Sequence, residues 1–238
     1  ASRFDIPRLI FVNKMDRPGA SYARAMDTVA KRLGGNPVPV FVPVDGCVVN
    51  LVDRTVIRFS GEQGEIIDTQ PLDDALAEQV EHHRETMVLA AAEFDANLEE
   101  IALEGDHPPA EALWAALRVG TIAGLIQPVF GGSALRNWGV QTVIDGAISL
   151  LPAPLERPPA IGTHPRTGEE ELVEMKADGP LAALAFKVQL WDGRRHVFAR
   201  IYRGTLKAGD KVRVAGTDTT ERVARIFDVN AAKKKRIE

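Results

Sequence analysis

Four residues near the start of the chain, Asn13-Lys14-Met15-Asp16, have the types and spacing to read a nucleobase. In the pattern N-K-x-D, the carboxylate accepts two hydrogen bonds, from N1–H and the exocyclic amine of guanine. Adenine presents no such donor pair, so the discrimination is about 1–3 kcal/mol or more. The Lys14 stem suits a purine face, and the Asn13 amide suits holding the loop and reaching N7. A second stretch, Gly132-Ser133-Ala134, has complementary chemistry. There a small residue with a free backbone N–H donates to guanine O6, while Ser133 steadies the loop. Each stretch alone also reads as an ordinary turn, the first as a capped entry to a helix at Ser21. Matched placement is what would make them a site.

The surrounding elements predict that placement. Residues 8–12 are an apolar run that reads as a buried strand entering the loop at Asn13. Tyr22, Met26, Val29, Ala30 and Leu33 share one helix face, and Gly34-Gly35-Asn36-Pro37 stops that helix. Residues 38–44 alternate but carry Pro39 and Pro43, which predicts a strand edge or extended segment, not a central strand. The β-branched stretch 48–59 predicts a hairpin or two short strands. From Leu72 the period turns helical through Leu76, Val80, Met87, Ala91, Phe94, Leu98 and Ile101, until Asp106-His107-Pro108-Pro109 breaks it. A second helix follows with Leu113, Trp114, Leu117 and Ile122 on its core face. Pro128-Val129-Phe130 returns to strand, and Val140, Val143, Ile144, Ala147, Ile148 and Leu151 to helix. The unit strand–loop–helix thus occurs twice, at 8–33 and 128–151, as in a doubly wound α/β domain. Ligands of such domains sit beyond the carboxyl ends of the strands, and those positions hold the two stretches.

Five prolines between Pro152 and Gly168 read as a linker. Beyond it the texture is β, at 181–190, 197–202, 211–214 and 222–227, with turns at Asp192-Gly193, Arg203-Gly204 and Ala208-Gly209-Asp210. That spacing suggests part of a small barrel.

At 238 residues, 45% hydrophobic and 26% charged, the composition is that of a soluble globular protein and excludes disordered, collagen-like and disulfide-scaffold classes. One cysteine, Cys47, fits a reducing compartment. No run of about 18 apolar residues occurs, so no membrane partner is expected, and with no signal-peptide pattern the expected location is cytoplasmic. The net charge of −4 hides an asymmetry: +4 over 1–44, −13 over 45–127, −2 over 128–177 and +7 over 178–238. Two explanations stand: opposite surfaces for basic partners and phosphate backbones, or well-solvated acidic helices. His82-His83, with no Cys or His at ligand spacing, and Glu169-Glu170-Glu171 read as solvated. The run Lys233-Lys234-Lys235-Arg236 reads equally as solvated or as touching RNA phosphate, and Trp114, Trp138 and Trp191 read as packing residues. No Ser-His-Asp, Cys-His or paired-carboxylate arrangement occurs, so neither a catalytic nor a metal-binding residue is expected here.

The motifs resemble a family. F-V-N-K-M-D-R at 11–17, N-P-V-P at 36–39, G-S-A-L-R-N-W-G-V-Q at 132–141 and L-P-A-P at 151–154 are similar to the G domain of translational GTPases, in particular elongation factor G. A-F-K-V at 185–188 and R-I-Y-R-G-T-L at 200–206 are similar to that family's second domain. The resemblance implies that Asn13, Lys14 and Asp16 are the guanine-specificity motif and Ser133, Ala134 and Leu135 the second guanine loop. It implies an α/β + β architecture: the C-terminal half of a P-loop GTPase-type doubly wound domain with a helical insert, then a translation-factor β-barrel. The divisions are G domain at 1–44 and 128–155, helical insert at 45–127, linker at 156–177 and incomplete barrel at 178–238. The implied partner is the ribosome, its stalk protein meeting the acidic insert and small-subunit rRNA the basic barrel.

No G-x-x-x-x-G-K-[ST] phosphate loop and no D-x-P-G-H switch motif occurs in the chain. These are expected upstream of Ala1, where they would hold the phosphates and Mg²⁺, with further domains beyond Glu238. GTP or GDP is the implied cofactor, with no tight binding expected from this piece alone, because about 4 kcal/mol of base contacts is only millimolar. Gly132 stands where the family often has Cys, and Asp192-Gly193 departs from the usual turn. The expected activity is that of a GTPase promoting translocation. The alternatives are a paralogue acting in ribosome recycling, or a non-enzymatic stalk- or rRNA-binding module with a vestigial nucleotide site.

Overall fold

A computed structural model describes the chain except residues 1, 105–106, 165–166, 192, 218, 231–232 and 238, and the side chains of residues 2 and 102. Expectations resting on Asp106 and Asp192 therefore lie outside the described residues. The chain divides into two compact units, Ala1–Pro152 and Ala153–Glu238.

The first unit is built on a mixed six-stranded sheet. Its elements run β1 (Ile10–Val12), α1 (Tyr22–Leu33), β2 (Pro37–Val44), β3 (Cys47–Asn50), β4 (Thr55–Ser60), β5 (Ile66–Pro71), α2 (Asp74–Ala92), α3 (Ala96–Glu104), α4 (Ala110–Ile122), β6 (Gln127–Gly131) and α5 (Val140–Leu150). The strand order is β1-β6-β2-β3-β4-β5. β1, β6 and β2 run parallel, and β2 to β5 form an antiparallel meander. Local chemistry explains the first helix. The Ser21 side chain accepts from the Arg24 N–H at 3.2 Å, and Gly34 closes the end at φ 60°.

The core lies between the sheet and its helices. Val38, Val40 and Val42 of β2, Val48 and Val49 of β3, and Val129 and Phe130 of β6 are buried. They form one cluster with Val80, Met87 and Ala91 of α2, Leu98 of α3, and Leu113 and Leu117 of α4. Phe41 stacks on Phe130 with ring centroids 5.2 Å apart. The Tyr22 hydroxyl donates to the Val129 carbonyl at 2.9 Å, tying α1 to the underside of β6. Burial pushes that phenol well above its ordinary pKa.

Three expectations fail here. First, residues 45–127 are not mostly helical: β3, β4 and β5 occupy 47–71 and widen the same sheet, and helix begins only at Asp74. Residues 66–71 escaped notice because they are exposed throughout and carry no alternation; backbone pairing with β4 alone makes them a strand. Second, β2 lies inside the sheet despite its prolines. β6 pairs with it up to Phe41 and β3 from Phe41 onward, so Pro39 and Pro43 each face a registered partner on one side only. A register shift falls beside Pro39. Third, the helical run from Leu72 to Ile101 is two helices, because Asp95 interrupts it and its carboxylate accepts from the Asn97 N–H at 2.9 Å.

The second unit, by itself, opens on a short 3-10 turn at Pro154–Glu156, and the other regular elements among its described residues are strands. Antiparallel pairs join β7 (Ala160–Thr163) to β8 (Glu170–Val173) and β9 (Ala182–Trp191) to β10 (Arg194–Arg203). Likewise β11 (Lys211–Arg213) pairs with β12 (Thr220–Arg222), and β13 (Ile226–Asn230) with β14 (Lys233–Ile237). β7 and β8 occupy the stretch read as a linker, and 222–227 is divided between β12 and β13. Among the described residues the four pairs remain separate two-stranded sheets, so the pairing falls short of a closed barrel. Leu184, Phe186, Val188 and Leu190 alternate along β9 and stay exposed. An ion pair of 2.8 Å joins Arg203 to Glu171, so that acidic triplet is partly engaged.

Candidate nucleotide-base site

β1 and β6 are parallel neighbours in register, with Val12 opposite Gly131. Their exits are level, so the two loops predicted to act together leave the carboxyl edge of the sheet side by side. The Gly132 N–H donates to the Val12 carbonyl at 3.1 Å, and the Met15 N–H to the Gly132 carbonyl at 3.0 Å. The decisive tie is a side chain: Asn13 Oδ1 accepts from the Lys14 N–H at 2.7 Å and from the Ala134 N–H at 2.9 Å. One oxygen thereby clamps residues 121 positions apart.

Lys14 has a φ of 64°, a left-handed conformation that few side-chain-bearing residues adopt. It turns the chain sharply at the strand end, leaving Lys14 exposed and Met15 packed against the core. Asp16 follows on the surface. The Ser133 hydroxyl first, with lesser help from its own backbone N–H and the positive charges of Arg17 and Arg136, holds its carboxyl below the ordinary range, against burial, which opposes them. Ser133 is fully buried, and its Oγ has no partner at full hydrogen-bonding geometry. Ser133 and Trp138 exchange backbone hydrogen bonds of 2.9 and 3.1 Å, closing a tight loop with Leu135, 81% exposed, near its tip.

All six predicted residues, Asn13, Lys14, Asp16, Ser133, Ala134 and Leu135, thus gather at one sheet edge. One expected detail differs. The Ala134 N–H is engaged by Asn13 Oδ1, so a purine O6 competes for that donor. Asp16 also lines an open cleft of about 310 Å³ with Phe59, Gly61, Glu62, Gly64, Arg136 and Trp138. Sequence reading missed that wall. Arg136 was discoverable beside the S-A-L triplet, but the β4–β5 turn carried no signal. A second depression of about 320 Å³, among Arg8, Asn36 and Gln127, lies at the opposite ends of the strands.

A model of the elongation factor Tu GTP binding domain matches residues 1–153. The chain belongs to that family. Relatives are similar along all of it: "Elongation factor G 2" of Geobacter metallireducens at 38% identity, "Elongation factor G 1" of Geobacter sulfurreducens at 39%, and "Elongation factor G" of Fervidobacterium nodosum at 36%. The chain covers 36%, 35% and 35% of those proteins, about a third of their length. A crystal structure of a Thermus thermophilus protein superposes on the whole chain with a TM-score of 0.74 at 25% identity, over 33% of that structure's chain. Both loops fall inside the residues matched by the family model.

Elsewhere the described residues hold no group of three or more His, Cys, Asp or Glu side chains placed for a metal ion, and no helix long and apolar enough to cross a membrane. Of the two histidines read as solvated, His82 is exposed but His83 packs edge-on against Tyr22 at 5.6 Å. Burial first, then His82, lowers the His83 pKa. Trp138 is buried in the core; Trp114 is held by Asp53 at 3.1 Å, and Trp191 lies under the Lys234 ammonium, 4.5 Å from the ring centroid.

Proposed function

We propose that this chain reads the guanine base of GTP and GDP for a translational GTPase of the elongation factor G kind, which drives translocation on the ribosome. The observation that carries the reading is the Asn13 clamp on Ala134, which joins an N-K-x-D loop to a G-S-A loop at one sheet edge. The donor and acceptor set fits guanine. Asp16 is exposed and held ionised, so it accepts from N1–H and the exocyclic amine together. Lys14 lies exposed beside it to cover the purine face, Ser133 steadies the Asp16 carboxylate, and the Ala134 and Leu135 backbone forms the O6 side.

Phosphate chemistry is not assigned to residues of this chain. Binding of the base orients the nucleotide for groups that hold its phosphates and Mg²⁺. The ribosome is the proposed partner, through a basic stalk surface that complements the net charge of −13 over 45–127 and through small-subunit rRNA phosphates that complement the +7 over 178–238. The segment 178–238 would be the incomplete β-barrel, and the cytoplasm the place of action.

Asp16→Asn in the whole protein that contains this chain tests the reading. Xanthine carries a C2 carbonyl where guanine has an amine, so the amide should move preference from GDP toward XDP. A GDP:XDP affinity ratio unchanged by the substitution rules Asp16 out as the reader.

A further inference from the structure

The residues between β4 and β5 touch the base loop from outside, although neither motif includes them. A carboxylate ties this turn down. Glu65 Oε2 accepts from the Gln63 N–H at 2.8 Å, and its own backbone N–H and that of Gln63 hold its carboxyl below the usual range. Gly64 then sits at φ 65°, facing the loop 133–138. A Cβ there would stand 2.7 Å from the Arg136 carbonyl oxygen and 2.9 Å from that of Asn137. Turn and loop meet backbone to backbone, with no room for a side chain.

That contact falls on the turn of the base loop that carries its backbone hydrogen bonds. Asn137 has a φ of 52°, in the left-handed region that asparagine tolerates better than most residues with a side chain. Its N–H donates to Ala134 at 3.2 Å, and the next N–H, of Trp138, donates to Ser133. Leu135, near the tip, is largely exposed and anchors nothing. One tie on Ala134 therefore runs through Asn137, whose carbonyl meets Gly64, and the ties on Ser133 run through the next residue, Trp138.

We propose that Gly64 is a positioning residue for the base site: the β4–β5 turn is a strut that holds loop 133–138 so that Ser133 faces Asp16 and the Ala134 N–H meets Asn13. This rests on reading the two loops as the base site. The strut also makes the widened sheet part of that site, because the turn is only as fixed as the strands on either side of it.

Amide hydrogen exchange on the 238-residue chain, without nucleotide, tests the proposal. Gly64→Ala should speed exchange at Ala134, Asn137 and Trp138 about tenfold while Val49 and Leu117 in the core keep their rates. The control is Gly46→Ala. Gly46 is also left-handed, at φ 80°, in a β-hairpin turn, but has open space where its Cβ would go. It should leave the three loop amides unchanged. Unchanged loop amides in Gly64→Ala, or equal acceleration by Gly46→Ala, overturn the strut. If the core amides accelerate too, the unit is destabilised, and Glu65→Gln decides by loosening the turn without adding an atom at the contact. About threefold faster loop exchange then supports the strut, and no change overturns it. Because no nucleotide is present, the result is independent of the Asp16→Asn test.

Discussion

Replacing Asn13 by alanine removes one oxygen and two hydrogen bonds. Oδ1 accepts from Lys14 at 2.7 Å and from Ala134 at 2.9 Å. A net contribution of about 0.5–1.5 kcal/mol each is usual. Both donors are on exposed residues, where water takes the vacated place, so the lower half of that range applies and the sum is about 1–2 kcal/mol. The Ala134 bond carries the larger consequence, since it joins the two loops, whereas the Lys14 bond is local. Urea unfolding of the 238-residue chain, followed by tryptophan fluorescence, measures the loss; Trp138 closes the second loop and reports on it. Asn13→Asp keeps an acceptor at the same place and should recover part of the loss. A loss below about 0.3 kcal/mol, or an aspartate no better than alanine, would refute the clamp.

Lys14→Gly should raise stability by about 0.5–1 kcal/mol, because glycine adopts the φ of 64° without strain, while in the whole protein it should weaken guanine nucleotide binding by removing the stem over the base; thermal melts and a GDP titration separate the two effects. Ser133→Ala should move the Asp16 titration, followed by side-chain carboxyl NMR, upward toward the ordinary value, since the hydroxyl is the largest influence holding it down. The sign follows from linkage: a depressed folded-state pKa contributes stability that is present above the unfolded value and lost as pH falls through the folded one. In the variant that loss should therefore be smaller and be complete at a higher pH than in the parent. Tyr22→Phe should cost about 1–2 kcal/mol in denaturant unfolding, because the Val129 carbonyl loses its buried donor; an unchanged midpoint would show the bond carries little.

The parts of the fold visible in the sequence are those whose burial leaves a periodic trace. The faces of α1 and α5 and the apolar runs of β1 and β6 placed both loops correctly at strand ends, and Ser21 and Gly34 marked the limits of the first helix. What escaped notice was decided by backbone pairing between distant segments. β5 is exposed on both faces, so no pattern of side chains announces it. β2 carries two prolines that argue against an interior strand; only the staggered pairing of β6 and β3 along its length makes the position tolerable. The site divides the same way. Asn13, Lys14, Asp16 and Ser133 are legible from type and spacing. The engagement of the Ala134 N–H, the left-handed turn at Lys14 and the approach of Gly64 are matters of geometry that no residue type announces.

The position of β6 bears on how such a site comes into being. In the sheet it lies between β1 and β2, yet in the chain it follows both by most of the length of the unit. As the chain is synthesised, the meander from β2 to β5 finds its partners among near neighbours, whereas the pairing of β1 with β6 waits until β6 is made. Loop-closure entropy weighs on that late pairing. Asn13 waits on a donor encoded 121 residues downstream. The joining of the two loops thus comes late, and a nascent chain stopped short of Ala134 lacks the Asn13 tie even with its N-K-x-D sequence complete.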